Sequence, residues 1–139
     1  MPVKSSAQRS RSTRQQTREL DVQIDFIEGV VRRDPGYVKA LQLLGDTYTK
    51  RGRFTEGLGV DERLAQLEPG NPLVFYNLAC SYSLTGQCDL AVQALDQAFR
   101  LGCRDFAWLA RDPDLRQLRK HPLYAQIRAT IRQLKTKPV

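Results

Sequence analysis

At 139 residues, with a 41% apolar share and a net charge of +7, the chain is expected to form one soluble domain with a modest core. No apolar run reaches the roughly 18 residues of a membrane span, and the N-terminus lacks the apolar stretch of a secretion signal. Cys80, Cys88 and Cys103 are odd in number and form no CxxC pair, which argues against a disulfide framework and for a reducing, cytoplasmic compartment.

The charge is unevenly spread. Residues 1–18 hold only basic charge, residues 19–103 lean acidic, and residues 104–139 are again strongly basic. Both ends are cationic around a mildly anionic body, which bears on partners rather than on fold. Residues 1–16 are Ser, Gln, Thr and Arg with almost nothing to bury, so a disordered basic tail is expected there.

The spacing predicts a helix over 17–33. Leu20, Ile24, Ile27 and Val31 keep one face apolar, and Val22, Phe26 and Val30 add a second stripe. So wide an arc is either buried within the monomer, wedged against another surface, or paired across a homodimer. Asp34-Pro35-Gly36 stops this helix.

The next helix spans about Tyr37 to Arg51 with Leu41, Leu44 and Tyr48 inward. Gly45 lets a neighbour approach, and Gly52 closes it as a C-cap. Phe54–Leu67 is its antiparallel partner, with Phe54, Leu58, Leu64 and Leu67 inward; Gly57 and Gly59 weaken it and are expected to serve close packing.

Asn71-Pro72 opens a new helix that breaks near Gly86, and Gln87–Leu101 follows with Leu90, Ala91, Ala94, Leu95 and Ala98 as its packing face. Asp105 and Asp112 cap two short helical starts. Pro122 opens a last helix to Leu134, whose stripe of Leu123, Ile127, Ile131 and Leu134 covers the flank of the preceding pair.

A fixed offset of 34 residues separates Leu44 from Leu78, Tyr48 from Tyr82 and Gly52 from Gly86. The segments 38–71 and 72–103 are therefore two repeats, flanked by the helix 17–33 and by capping helices over 104–135. Leu41, Leu44-Gly45, Tyr48, Gly57, Leu64 and Pro69 in the first, and Phe75, Leu78-Ala79, Tyr82, Ala91 and Ala98 in the second, resemble the tetratricopeptide (TPR) pattern. Asp61 and Leu95 stand where that pattern has an aromatic, and Gly102-Cys103 where it has Pro. Residues 17–33 resemble the second half of a repeat without its first helix. Tyr76 to Tyr124 is similar to a segment that closes such arrays in some bacterial proteins.

The resemblance implies an all-α superhelix of helical hairpins that binds a peptide or helix of another protein on its concave face. Spacing places Lys39, Gln42, Asp46, Thr49 and Lys50 of the first repeat there, with Leu73, Tyr76, Asn77, Cys80 and Leu84 of the second. Asn77 matches a family position that bonds a bound peptide's backbone; a local hydrogen bond is the alternative. Lys39 and Asn77 alone do not complete the family's carboxylate clamp, and Leu73, Tyr76 and Leu84 imply a more apolar groove.

No enzymatic motif is present, and His121 before Pro122 reads as a cap or turn residue rather than a base. The acid pairs Asp61/Glu62 and Asp112/Asp114 read as caps or solvated faces. No cofactor is expected. A metal site would need His121 as a fourth ligand at no recognised spacing. The rival reading is nucleic-acid association through the cationic ends, including a basic edge of Arg128, Arg132 and Lys135, with Trp108 or Tyr124 to stack on bases.

Overall fold

A computed structural model describes residues 6–136, with side chains from Thr13 onward. Among the described residues every element is helical: α1 (Ser6–Arg33), α2 (Val38–Arg51), α3 (Phe54–Leu67), α4 (Pro72–Leu84), α5 (Cys88–Arg100), α6 (Phe106–Leu109), a 3-10 turn at Pro113–Leu115, α7 (Arg116–Lys120) and α8 (Tyr124–Thr136). Each of the first four packs on the next, so the chain is a row of helical hairpins α2/α3 and α4/α5 with α1 in front.

The stops are chemical and they recur. Gly52 and Gly86 end α2 and α4 with φ of 84° and 77°, a region that glycine enters without a Cβ clash. Behind each glycine the same bond closes the turn: Arg53 N–H to the Tyr48 carbonyl at 2.8 Å, and Gln87 N–H to the Tyr82 carbonyl at 2.8 Å. Asn71 Oδ1 accepts the Leu73 N–H at 3.0 Å and starts α4, with Pro72 at its first position.

The repeat extends to side chains. The Tyr48 hydroxyl donates to Glu28 on α1, and the Tyr82 hydroxyl donates to Glu62 on α3 at 3.3 Å. Both partners are displaced by the same 34-residue step, so α1 stands to α2 as α3 stands to α4. The Arg51 guanidinium adds an ion pair to Asp21 at 2.8 Å.

At the α2/α3 crossing a Cβ on Gly45 would meet Asp61 Oδ1 at 3.2 Å, and one on Gly57 would meet Thr49 Oγ1 at 3.3 Å. Close packing accounts for both. Nothing in the structure explains Gly59, around which a Cβ would meet open space.

The core is three clusters strung along the row. Ile24 and Ile27 of α1 join Ala40, Leu44 and Tyr48; Leu41, Leu64 and Val74 fill the next junction. The largest cluster joins α4 and α5 to Leu109, Leu115, Leu118, Tyr124 and Ile127 of the C-terminal segment. Helix α8 lies on α5, whereas the 3-10 turn and α7 lie on α4. The Leu118 N–H donates to the buried Ser83 hydroxyl of α4 at 3.3 Å and pins that second contact.

The N-terminal helix differs from what the spacing predicted in extent and in burial. α1 begins at Ser6 and does not start at residue 17 as the spacing predicted; residues 1–5 of the expected basic tail lie outside the described residues. Once 17–33 is docked, extension needs only propagation, which Arg, Gln and Ala favour. Nor is the whole apolar arc of α1 buried: Val22 is 63% exposed and Phe26 is 73% exposed. The α2 side covers the first stripe and Val30 at the end of the second, and leaves Val22 and Phe26 exposed.

Candidate functional site

The inner helices of the two hairpins, α2 and α4, border a cleft of about 390 Å³. From α2 it is lined by Gly45, Asp46, Thr49 and Lys50, and from α4 by Leu73, Tyr76, Asn77, Cys80, Ser81 and Leu84. Asp61 of α3 reaches it between them. Cys103, Asp105, Trp108, Asp112 and Asp114 form the opposite wall. A smaller hollow of about 150 Å³ adjoins it, lined by Gln42, Asp46, Leu73 and Asn77 among others.

Of the residues that spacing assigned to a concave face, Asp46, Thr49, Lys50, Leu73, Tyr76, Asn77, Cys80 and Leu84 come together around the larger cleft. Gln42 lines only the smaller hollow, and Lys39 lines neither. Arg128, Arg132 and Lys135 lie exposed on α8 and line neither hollow. There Arg128 stacks over the Tyr124 ring at 5.3 Å, and Lys135 sits over the Phe106 ring at 5.8 Å.

Tyr76 and Cys80 are not open surface as the spacing implied; each is only 7% exposed. The C-terminal segment lies over them. The Tyr76 hydroxyl donates to Asp112 Oδ2 at 2.6 Å, and the Cys80 thiol lies 3.7 Å from the same oxygen. Asp112 Oδ1 accepts the Asp114 N–H at 3.0 Å, which is the expected cap. The Arg119 guanidinium donates to the backbone carbonyls of Leu109 and Asp112 at 3.0 and 2.7 Å and holds this loop in place. Burial and then the bond to Asp112 keep the Tyr76 phenol protonated, and burial pushes the Cys80 thiol well up.

The acid pairs therefore do more than cap or face solvent. Asp112 caps a turn and braces two α4 side chains at once. Asp61 is buried, accepts a hydrogen bond from the Ser81 hydroxyl, and has its carboxyl pushed up to about 6. Burial is the main cause and the charge of Asp46 adds to it, while the Ser81 bond opposes. Its neighbour Glu62 remains exposed. One period earlier and later stand Ile27 and Leu95, both buried. A carboxylate thus occupies a core position of the repeat. Burial, and then Asp112, also raises the Asp114 carboxyl.

The Cys80 sulfur and the carboxylates of Asp112 and Asp114 bring their polar atoms within 4.8 Å of one another. His121 is not among them; its Nδ1 accepts the Leu123 N–H at 3.1 Å, the turn role expected of it. Asp105, Trp108 and Asp114 were not read as cleft residues from the sequence. Only Asp61 left a signal there, as a break in the 34-residue pattern.

These features define a class: a short all-α repeat protein whose inner face holds a cleft closed on one side by its own C-terminal segment. No family model matches the chain. It is 34% identical over 79 residues to a chloroplastic protein of Arabidopsis thaliana, a match over 55% of this chain and 24% of that protein. It is 31% identical over 90 residues to the peroxisomal targeting signal receptor of Komagataella phaffii, over 63% of this chain and 16% of that one. It is 29% identical over 102 residues to a human PEX5-related protein, over 73% of this chain and 15% of that one. The chain spans about a quarter or less of the length of these curated relatives. Among the described residues, no helix is long and apolar enough to cross a membrane.

Proposed function

We propose that this chain is a non-enzymatic adaptor of TPR type that holds a peptide or helix of a partner protein in the cleft between α2, α4 and the C-terminal segment. The observation that carries the reading is the cleft itself, built from the inner helices of both hairpins and edged by the exposed side chains of Leu73 and Trp108. Similarity to a targeting signal receptor supports recognition of a protein segment. Three free thiols suit a reducing compartment such as the cytoplasm.

Leu73 is 59% exposed, so Leu73→Arg should leave the thermal midpoint unchanged while filling the cleft mouth. Pull-down with wild-type and variant protein, read by mass spectrometry, is expected to recover partners that the variant loses. If both recover the same proteins, the cleft is not the binding site. Steeply salt-dependent binding of a generic oligonucleotide, unaffected by Leu73→Arg and lost on neutralising Arg128 and Arg132, would favour the nucleic-acid reading instead.

We further propose that α1 pairs with α1 of a second copy through Val22 and Phe26, the apolar stripe that α2 leaves uncovered. Phe26→Glu is expected to leave helicity intact and to shift sedimentation from dimer to monomer. A wild-type chain that sediments as a monomer at high concentration removes this interface.

A further inference from the structure

The lining of the cleft carries a charge opposite to that of the chain. The protein has 22 basic against 15 acidic residues. Yet Asp46, Asp61, Asp105, Asp112 and Asp114 line the cleft, against the single cation Lys50. The ion pairs of Arg51 with Asp21 and of Arg53 with Glu56 involve none of these five carboxylates. Arg119 of the same segment donates to the backbone carbonyls of Leu109 and Asp112. Beside the carboxylates stands Trp108, 44% exposed, whose ring face can take a cation. Leu73 and Leu84 supply apolar surface along the same wall, suited to the methylene stem of a long basic side chain.

Building on the adaptor reading, we propose that the cleft selects a basic segment of its partner, seating an arginine or lysine side chain between Trp108 and the carboxylates of Asp105 and Asp114. Charge complementarity names the occupant. A free C-terminal carboxylate would face five like charges with Lys50 alone to offset them, so the segment is read by its side chains rather than by its end. Burial raises the carboxyls of Asp61 and Asp114, and the neighbouring acids Asp46 and Asp112 add to the two shifts.

The test is selection from a random peptide display library on the full chain, with Leu73→Arg as the blocked control. Wild-type protein should enrich arginine- and lysine-bearing peptides that also carry leucine-like residues. Asp105→Asn preserves the cap on α6, where Asp105 accepts the Trp108 N–H at 3.1 Å, and Asp114→Asn preserves side-chain shape. The double variant should bind a selected arginine peptide about tenfold or more weaker, the loss expected for a charge-assisted hydrogen bond. It should bind the citrulline version of that peptide as the wild type does. Enriched peptides without a basic bias, or equal binding of arginine and citrulline versions by the wild type, overturn the basic preference and leave the cleft as a docking site. No enrichment over the Leu73→Arg control sinks the adaptor reading and this one with it.

Discussion

A chain ended after His121 is expected to lose its cooperative unfolding transition. The removed part contains α8, whose Tyr124 and Ile127 are buried against the α5 side of the main core and whose Ile131 and Leu134 are half-buried there. Each fully buried apolar side chain contributes about 1.5–3 kcal/mol. Together these four represent a large share of the roughly 5–15 kcal/mol by which a domain is stable. Their loss also uncovers α5, whose Leu95 and Phe99 belong to the same core. A terminal repeat with a bare apolar flank aggregates or unfolds. Ile127→Ala grades the same effect. Ile127 is fully buried, so the variant should lose about 2–5 kcal/mol in urea unfolding, while exposed Arg132→Ala stays within about 0.5 kcal/mol of wild type. A truncated chain that melts like the full one would mean α8 caps nothing.

Asp61→Asn is expected to be more stable than wild type at neutral pH, by a margin that shrinks in acid. The Asp61 carboxyl is raised from 3.8 to about 6, mainly by burial. Between those values the folded chain holds a proton that the unfolded chain releases, so wild-type stability falls as pH rises through this window. Below the unfolded value the contribution is fully present; above about 6 it is gone. The shift corresponds to on the order of 3 kcal/mol. Asparagine has no charge to bury and can still accept the Ser81 hydroxyl. The difference between the two proteins, from urea unfolding across about pH 4 to pH 7, should therefore grow with pH. Parallel curves would show that Asp61 does not titrate in this window. A buried carboxylate kept where neighbouring repeats hold Ile27 and Leu95 is a stability cost borne at a cleft wall.

The second stripe of α1 and the outward residues of α4 show how far a pattern reads. Periodicity assigned Phe26 and Tyr76 to defined helix faces. It could not say what lies opposite. Phe26 stays largely exposed, whereas Tyr76 is buried because Asp112, 36 residues on, folds over it.

From local chemistry alone, the chain specified its helices, their stops and their register. Gly52, Gly86, Asn71-Pro72 and the caps Asp105 and Asp112 act within a few residues, and the 34-residue step repeats their effect. Helix period assigned one face of α2 and of α4 to the groove, and from that set Lys39 and Gln42 do not line the larger cleft. The cleft's second wall and its charge were decided only in three dimensions. They depend on the 3-10 turn and α7 crossing to α4 while α8 returns to α5, a path set by packing of Leu115, Leu118 and Ile127 rather than by any local signal. That crossing brings Asp105, Trp108, Asp112 and Asp114 opposite Asp46 and Asp61, and long-range burial then shifts the carboxyls of Asp61 and Asp114.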